Sequence, residues 1–152
     1  MAQITQIGEL AVRRSILINA PPDRVWKEFE SFERMKAWFG VGHSLLKYEP
    51  REGAQVLLEV EIHGSMMKYG GPIVVFEPGR ELTFENDWIP NQGWEKPTLI
   101  TLRLTPVLDG TLVELFHHAF ERVGGDVGHE HRGYEGGWTM RQLETLRSAI
   151  EG

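Results

Sequence analysis

The chain contains no cysteine. Disulfides, cysteine-ligated zinc, iron–sulfur clusters and thiol nucleophiles are thereby excluded. It has no excess of basic residues: 16 Lys and Arg stand against 22 Asp and Glu, for a formal net charge of −6 and a pI of about 5.5. With no basic block, nucleic acid is not an expected partner. No apolar run approaches the roughly 18 residues of a membrane-spanning helix, so no membrane is expected to be crossed. The opening Met-Ala-Gln-Ile-Thr-Gln-Ile-Gly-Glu lacks the basic start and apolar stretch of a secretory leader, and a cytoplasmic location is the expectation. Also missing are a Gly-x-Ser-x-Gly elbow, a phosphate loop, a dinucleotide fingerprint and any internal repeat. No cofactor is implied.

What is present fits an ordinary globular chain. The 152 residues are 41% hydrophobic and 25% charged. A chain this long buries roughly 70% of its unfolded surface around one core. One domain over residues 1–152 is expected.

Val12 to Ile18 is β-rich and closes on Asn19-Ala20-Pro21-Pro22. Proline is tolerated in the first helical turn because its missing N–H would be unpaired there, and Asp23 suits that end electrostatically. Val25, Trp26, Phe29 and Phe32 then recur at helical spacing. Ser31 is placed to cap a second short helix carrying Met35, Trp38 and Phe39, ended by Gly40-Val41-Gly42.

From Ser44 to Phe120 the period changes to two. Val56, Leu58, Val60 and Ile62 alternate with Gln55, Leu57, Glu59 and Glu61, so one face of the strand is apolar. Turns are expected at His63-Gly64-Ser65, Glu77-Pro78-Gly79-Arg80 and Leu108-Asp109-Gly110. A strand from about Met66 to Phe76 is interrupted at Gly70-Gly71-Pro72; others cover 81–86, 99–106 and 111–120, and 87–96 reads as a loop. After the glycine-rich 124–128, a long helix is expected from Gly128 or His129 to Ile150, with Thr139, Leu143, Leu146 and Ile150 in one stripe.

That order predicts an α+β fold: a curved antiparallel sheet of six to seven strands wrapped around a long C-terminal helix, with two short helices after the first strand. The helix must bury its stripe against the apolar face. A curved sheet around one helix leaves a cavity between sheet, long helix and short helices.

Five segments carry a resemblance. Ile18-Asn19-Ala20-Pro21-Pro22-Asp23-Arg24-Val25-Trp26, Trp38-Phe39-Gly40, Glu77-Pro78-Gly79-Arg80-Glu81-Leu82-Thr83-Phe84, Gly110-Thr111-Leu112-Val113-Glu114-Leu115 and Gly137-Trp138 occur in this order across nearly the whole chain. The set resembles the helix-grip fold of the SRPBCC, or START-like, superfamily, and within it the bacterial proteins similar to the activator of heat-shock protein 90 ATPase. The resemblance implies fold more than chemistry. Members of the superfamily bind lipids, sterols, polyketides and other hydrophobic molecules, and some cyclise or dehydrate aromatic polyketides. A hydrophobic small-molecule ligand is therefore the expected partner. A chaperone partner is not expected, because the eukaryotic activators bind largely through a separate amino-terminal domain for which this chain has no room.

The expected ligand-lining residues are Trp38, Phe39, Val56, Leu58, Val60, Phe84, Trp88, Leu102, Leu115, His117, Thr139 and Leu143. His117 shares a strand face with Val113 and Leu115 and should point inward, where it could orient a ligand or move a proton. The plainer reading is a buried histidine bonded to a neighbouring strand or helix. Glu135, near the start of the long helix, is the candidate carboxylate partner; it could equally be a surface charge near a helix N-terminus. An enzyme of the cyclase, dehydratase or hydrolase kind would need the two to meet.

His118 should face the other way, into solvent. His117-His118 and His129-x-His131 are the only histidine clusters, and neither has zinc-site spacing, so no metal is expected. Trp94 joins Trp88 in the loop. Gly136-Gly137 costs helix stability, for close backbone approach to the sheet or for a kink that opens the cavity. Leu112 and Phe116 should lie exposed on the outer sheet face, where they would suit a homodimer contact.

Overall fold

The structure is a computed structural model describing residues 5–152; residues 1–4, where the stretch read for a leader begins, lie outside it. Seven strands are β1 (Val12–Ile18), β2 (Ser44–Lys47), β3 (Gln55–Ile62), β4 (Ser65–Glu77), β5 (Glu81–Ile89), β6 (Thr98–Val107) and β7 (Gly110–His118). They form one antiparallel sheet in the order β1-β7-β6-β5-β4-β3-β2. Between β1 and β2 lie α1 (Pro22–Trp26) and α2 (Phe32–Phe39). Ser31 Oγ accepts from the Arg34 N–H at 3.1 Å, so the serine caps α2 as its position suggests.

Two glycines let the sheet curl. Gly70 sits at φ +143, and a Cβ there would stand 2.0 Å from the Val56 carbonyl oxygen on β3. At Gly71 it would stand 2.5 Å from the Glu85 carbonyl oxygen on β5. The Gly-Gly-Pro segment therefore does not interrupt β4. It is the place where β3 and β5 close in on its backbone. The register of β4 against β5 slips just beyond, between Ile73 and Val75. Strand β5 also runs further than its alternation indicates, with Asp87 to Ile89 paired to Lys68–Gly70. Part of the expected loop is strand because Trp88 packs edge-on against Tyr69 across the ladder, with ring centroids 5.6 Å apart.

The C-terminal helix spans 25 residues, from Val127 to Glu151, in two parts. These are α3 (Val127–Gly137) and α4 (Arg141–Glu151), with Trp138 extended at ψ 134 between them. Thr139 falls in the break, and its Oγ1 accepts from the Arg141 N–H at 3.2 Å, where the helix restarts. Helix α4 buries Leu143 and Leu146 and packs against α2 and β1. Helix α3 has no buried residue. A Cβ on Gly136 or Gly137 would meet nothing within 4 Å, so close approach to the sheet does not explain the glycines. They lie where helix gives way to extended chain.

Gly136→Ala should strengthen α3 locally by about 1 kcal/mol. Amide exchange within α3 should slow about fivefold while α4 is unchanged. Equal slowing in α3 and α4 would show that α3 opens only with the whole fold, and no slowing would show that the glycine costs α3 nothing.

The outer sheet face departs from expectation at two residues. His118 is 1% exposed and Phe116 is 3% exposed. The Phe116 ring lies between the guanidinium groups of Arg13 and Arg103, at 5.2 and 5.4 Å. His118 Nε2 lies 2.8 Å from Thr101 Oγ1. Thr101 Oγ1 lies 2.8 Å from Thr83 Oγ1, which donates to Glu81 Oε2 at 2.9 Å. The chain of bonds has one direction: His118 donates to Thr101, Thr101 to Thr83, and Thr83 to the carboxylate. Arg103 pairs with Glu81 at 3.2 Å and donates to the Thr5 carbonyl at 2.8 Å, while Thr5 Oγ1 also bonds Glu81. The segment preceding β1 thus covers this polar cluster.

The inner face holds one hydrophobic cluster. Trp38 is fully buried and donates to the Glu28 carbonyl at 3.0 Å. Trp26 stacks on Phe29 at 4.5 Å, and Phe29 meets Trp38 at 5.2 Å.

Candidate functional site

Alternation sends every second residue of β3 to β7 toward the helices. At the α4 end of the sheet those side chains meet leucines and aromatic rings and fill the space. At the α3 end the covering helix reads Val-Gly-His-Glu-His-Arg-Gly-Tyr-Glu-Gly-Gly and inserts little bulk. A cavity of about 580 Å³ remains there. Its walls are Phe39 at the end of α2, Val41 to His43 after it, and Leu58, Val60 and Ile62 of β3. Tyr69 of β4, Asn86 and Trp88 of β5, Ile100 of β6 and His117 of β7 continue the lining. His129, Glu130, Gly133, Tyr134 and Gly137 of α3, Trp138, Thr139, and Arg141 and Gln142 of α4 close it. A shallower groove of about 440 Å³ runs along α4 from Thr139 to Ser148, away from the sheet interior.

Of the residues expected to line a ligand site, Phe39, Leu58, Val60, Trp88, His117 and Thr139 stand on the cavity wall. Trp38, Val56, Phe84, Leu102, Leu115 and Leu143 lie in the packed core. Val56, Phe84, Leu102 and Leu115 belong to the same inward set of the sheet, and Trp38 of α2 and Leu143 of α4 share one packed cluster with them.

Glu135 is exposed and turned toward the outside. Its carboxylate lies 3.8 Å from Arg14, which also donates to its backbone carbonyl at 2.8 Å. No hydrogen bond joins it to His117. Trp94 lies half-buried against Tyr134, with ring centroids 6.3 Å apart.

The protons around His117 are fixed by their partners. The indole of Trp138 can only donate. Its Nε1–H donates to His117 Nδ1 at 3.0 Å, so the imidazole proton sits on Nε2. That nitrogen lies 2.8 Å from Thr98 Oγ1 and donates to it. Thr98 gives its own proton to the Asn86 backbone carbonyl at 3.1 Å. A lone pair of Thr98 then accepts from Asn86 Nδ2 at 3.4 Å. The side-chain carbonyl Oδ1 of Asn86 is thereby left as the free end, buried and unpartnered among the described residues.

His117 is fully buried, with its ring centroid 4.5 Å from Tyr134 and 4.6 Å from Phe120. Burial, with smaller contributions from the charges on His118 and His131, lowers its pKa to about 3. The ring is neutral near pH 7, and both nitrogens are occupied by protein partners.

Residues that the sequence reading left out form the rest of the wall. His43 Nδ1 hydrogen-bonds the Tyr69 hydroxyl, with the rings edge to face. Burial lowers the His43 pKa and raises those of Tyr69 and Tyr134, so all three groups favour their neutral forms. Asn86 had a legible signal: a polar residue at an inward position between Phe84 and Trp88. Among the described residues no group of three histidines or carboxylates could hold a metal ion, and no helix is long and apolar enough to cross a membrane.

The architecture has solved counterparts. Protein CV1439 from Chromobacterium violaceum superposes with a TM-score of 0.69 at 20% identity, over 93% of this chain and 97% of that one. CalU16 from Micromonospora echinospora gives 0.63 at 26% identity, over 92% and 75%. The Aha1 dimer from Colwellia psychrerythraea gives 0.59 at 16%, over 93% and 96%. Comparison with curated proteins returns no match. The family model described as Activator of Hsp90 ATPase homolog 1-like protein matches residues 19–151, from the turn after β1 to the last residue of α4. A match of that extent, on a helix-grip fold with these counterparts, places the chain in the Activator of Hsp90 ATPase homolog 1-like family of the SRPBCC superfamily.

Proposed function

We propose that the protein binds a hydrophobic or aromatic small molecule in the cavity between the sheet and the C-terminal helix. One observation carries the reading: about 580 Å³ of space lined mainly by Phe39, Leu58, Val60, Ile62, Tyr69, Trp88, Ile100, Tyr134 and Trp138. Apolar area moved out of water there contributes roughly 25 cal/mol per Å², and the rings supply flat surfaces for an aromatic ligand. The engagement of both His117 nitrogens agrees with binding rather than turnover at that residue.

Native mass spectrometry of freshly purified protein should reveal a copurified small molecule. Val60→Phe, which places a ring in the cavity, should lose that molecule while keeping the far-ultraviolet circular dichroism of the wild type. Bare polypeptide mass in the wild type, together with no uptake of an apolar fluorescent probe, would sink the reading.

A cyclase-, dehydratase- or hydrolase-like enzyme using the same cavity is the second reading. The His43–Tyr69 pair favours it, because two titratable groups meet inside the pocket. DynU16, a protein in the dynemicin biosynthetic locus, shares the fold over 48% of its own length and 95% of this chain, at 20% identity and a TM-score of 0.67. Interaction with heat-shock protein 90 rests on the family description alone. For a homodimer, the dimeric Aha1 counterpart is the support; of the two outer-face residues suited to such a contact, Phe116 is covered by arginines.

A further inference from the structure

We infer that the cavity selects a ligand carrying hydrogen-bond donors, such as a hydroxylated or N–H-bearing aromatic molecule, over fully apolar or acceptor-only molecules of the same shape. This rests on the cavity being a ligand site, as proposed above. Two buried side-chain oxygens have no partner among the described residues: Asn86 Oδ1 and Gln142 Oε1. Both residues line the cavity, Asn86 on β5 and Gln142 on the facing α4. Asn86 is 3% exposed.

The identity of the free atom on Asn86 follows from the neighbouring protons. Trp138 fixes the proton of His117 on Nε2, His117 fills one acceptor site of Thr98, and Thr98 spends its proton on the Asn86 backbone. Turning the amide over would set Oδ1 against a Thr98 oxygen with no proton to offer. The network therefore holds Nδ2 toward Thr98 and leaves the acceptor unpaired. A buried acceptor left without a donor carries a desolvation penalty, and a ligand donor removes it. A polar site of this kind discriminates strongly against an analogue lacking the donor, whereas an apolar wall does not.

The test compares β-naphthol with its methyl ether, titrated at neutral pH by quenching of tryptophan fluorescence. The two share a ring system and an oxygen, and only the naphthol donates. The wild type should bind the naphthol at least about tenfold more tightly than the ether. In Asn86→Leu the preference should shrink to within about threefold, and in the double variant with Gln142→Met it should vanish, while the ether binds as well as before or better.

Equal wild-type affinity for the two probes would mean that water serves these oxygens, and would overturn the donor requirement while leaving the cavity reading intact. Binding of neither probe would overturn the cavity reading and this inference with it. The wild-type comparison decides even where a variant fails to fold.

Discussion

Acidification below pH 6.5 should destabilise the protein steeply, with the adjacent histidines of β7 setting the slope. His117 and His118 are 0% and 1% exposed. Burial lowers their pKa values from 6.5 to about 3 and about 4. For His118 that effect outweighs the nearby carboxylates of Glu121 and Glu81. In the unfolded chain both rings take up protons below pH 6.5; in the folded chain they resist down to about 4 for His118 and about 3 for His117. The unfolded state therefore binds more protons throughout that window, and stability rises with pH across it.

The contribution is fully present above pH 6.5 and is lost as the pH falls toward the folded values. Each histidine adds up to about 1.4 kcal/mol per pH unit. Urea unfolding at a series of pH values from neutrality to about 4 measures the slope. His118→Gln keeps a donor toward Thr101 and removes the His118 titration. Its slope should be shallower than that of the wild type by up to about 1.4 kcal/mol per pH unit. A stability that stays flat over the window would refute the neutral, buried state of both rings.

Phe39→Ala should cost about 3–5 kcal/mol, a large part of the 5–15 kcal/mol that holds a typical domain. Phe39 is 3% exposed and packs edge-on against Trp38 at 5.4 Å and Phe84 at 6.1 Å. With Leu58 and Ile100 it is one of the residues at which core and cavity meet, since it belongs to the core cluster and also lines the pocket. The loss should fall toward the lower end, because the space vacated joins a cavity that water can enter. The variant should also accept a bulkier aromatic probe than the wild type does. Chemical unfolding gives the first quantity and probe titration the second. A stability loss below about 1 kcal/mol would show that the ring is not packed as described.

The strands were legible because alternation is a strong signal in a half-buried sheet. The caps and turns were legible because Ser31, Pro22 and Asp109-Gly110 answer local backbone needs. The inward set was legible too, but not its division. Val56 and Val60 lie on the same strand, four residues apart and on one face; the first is core and the second is cavity wall. What separates them is what lies opposite, packed side chains at Val56 and open space at Val60, and period two carries no information about that.

The outer face differs from its alternation pattern for a similar reason. Alternation along β7 alone points His118 and Phe116 toward solvent. Phe116 is covered by Arg13 of β1 and Arg103 of the paired β6, and His118 bonds into a polar cluster that Thr5, ahead of β1, helps to close; the contributions of Arg13 and Thr5 come from far along the chain. The break at Trp138 had a partial signal in Gly136-Gly137. The reason it falls there is the indole bond to His117, which requires knowing that β7 passes beneath.

The two halves of the C-terminal helix also divide evolutionary liability. Leu143 and Leu146 of α4 are welded into the fold, whereas Gly133, Tyr134 and Gly137 of α3 furnish the chamber and no α3 residue is buried. Substitutions along α3 can therefore reshape the chamber wall while the buried contacts of α4 keep the scaffold intact.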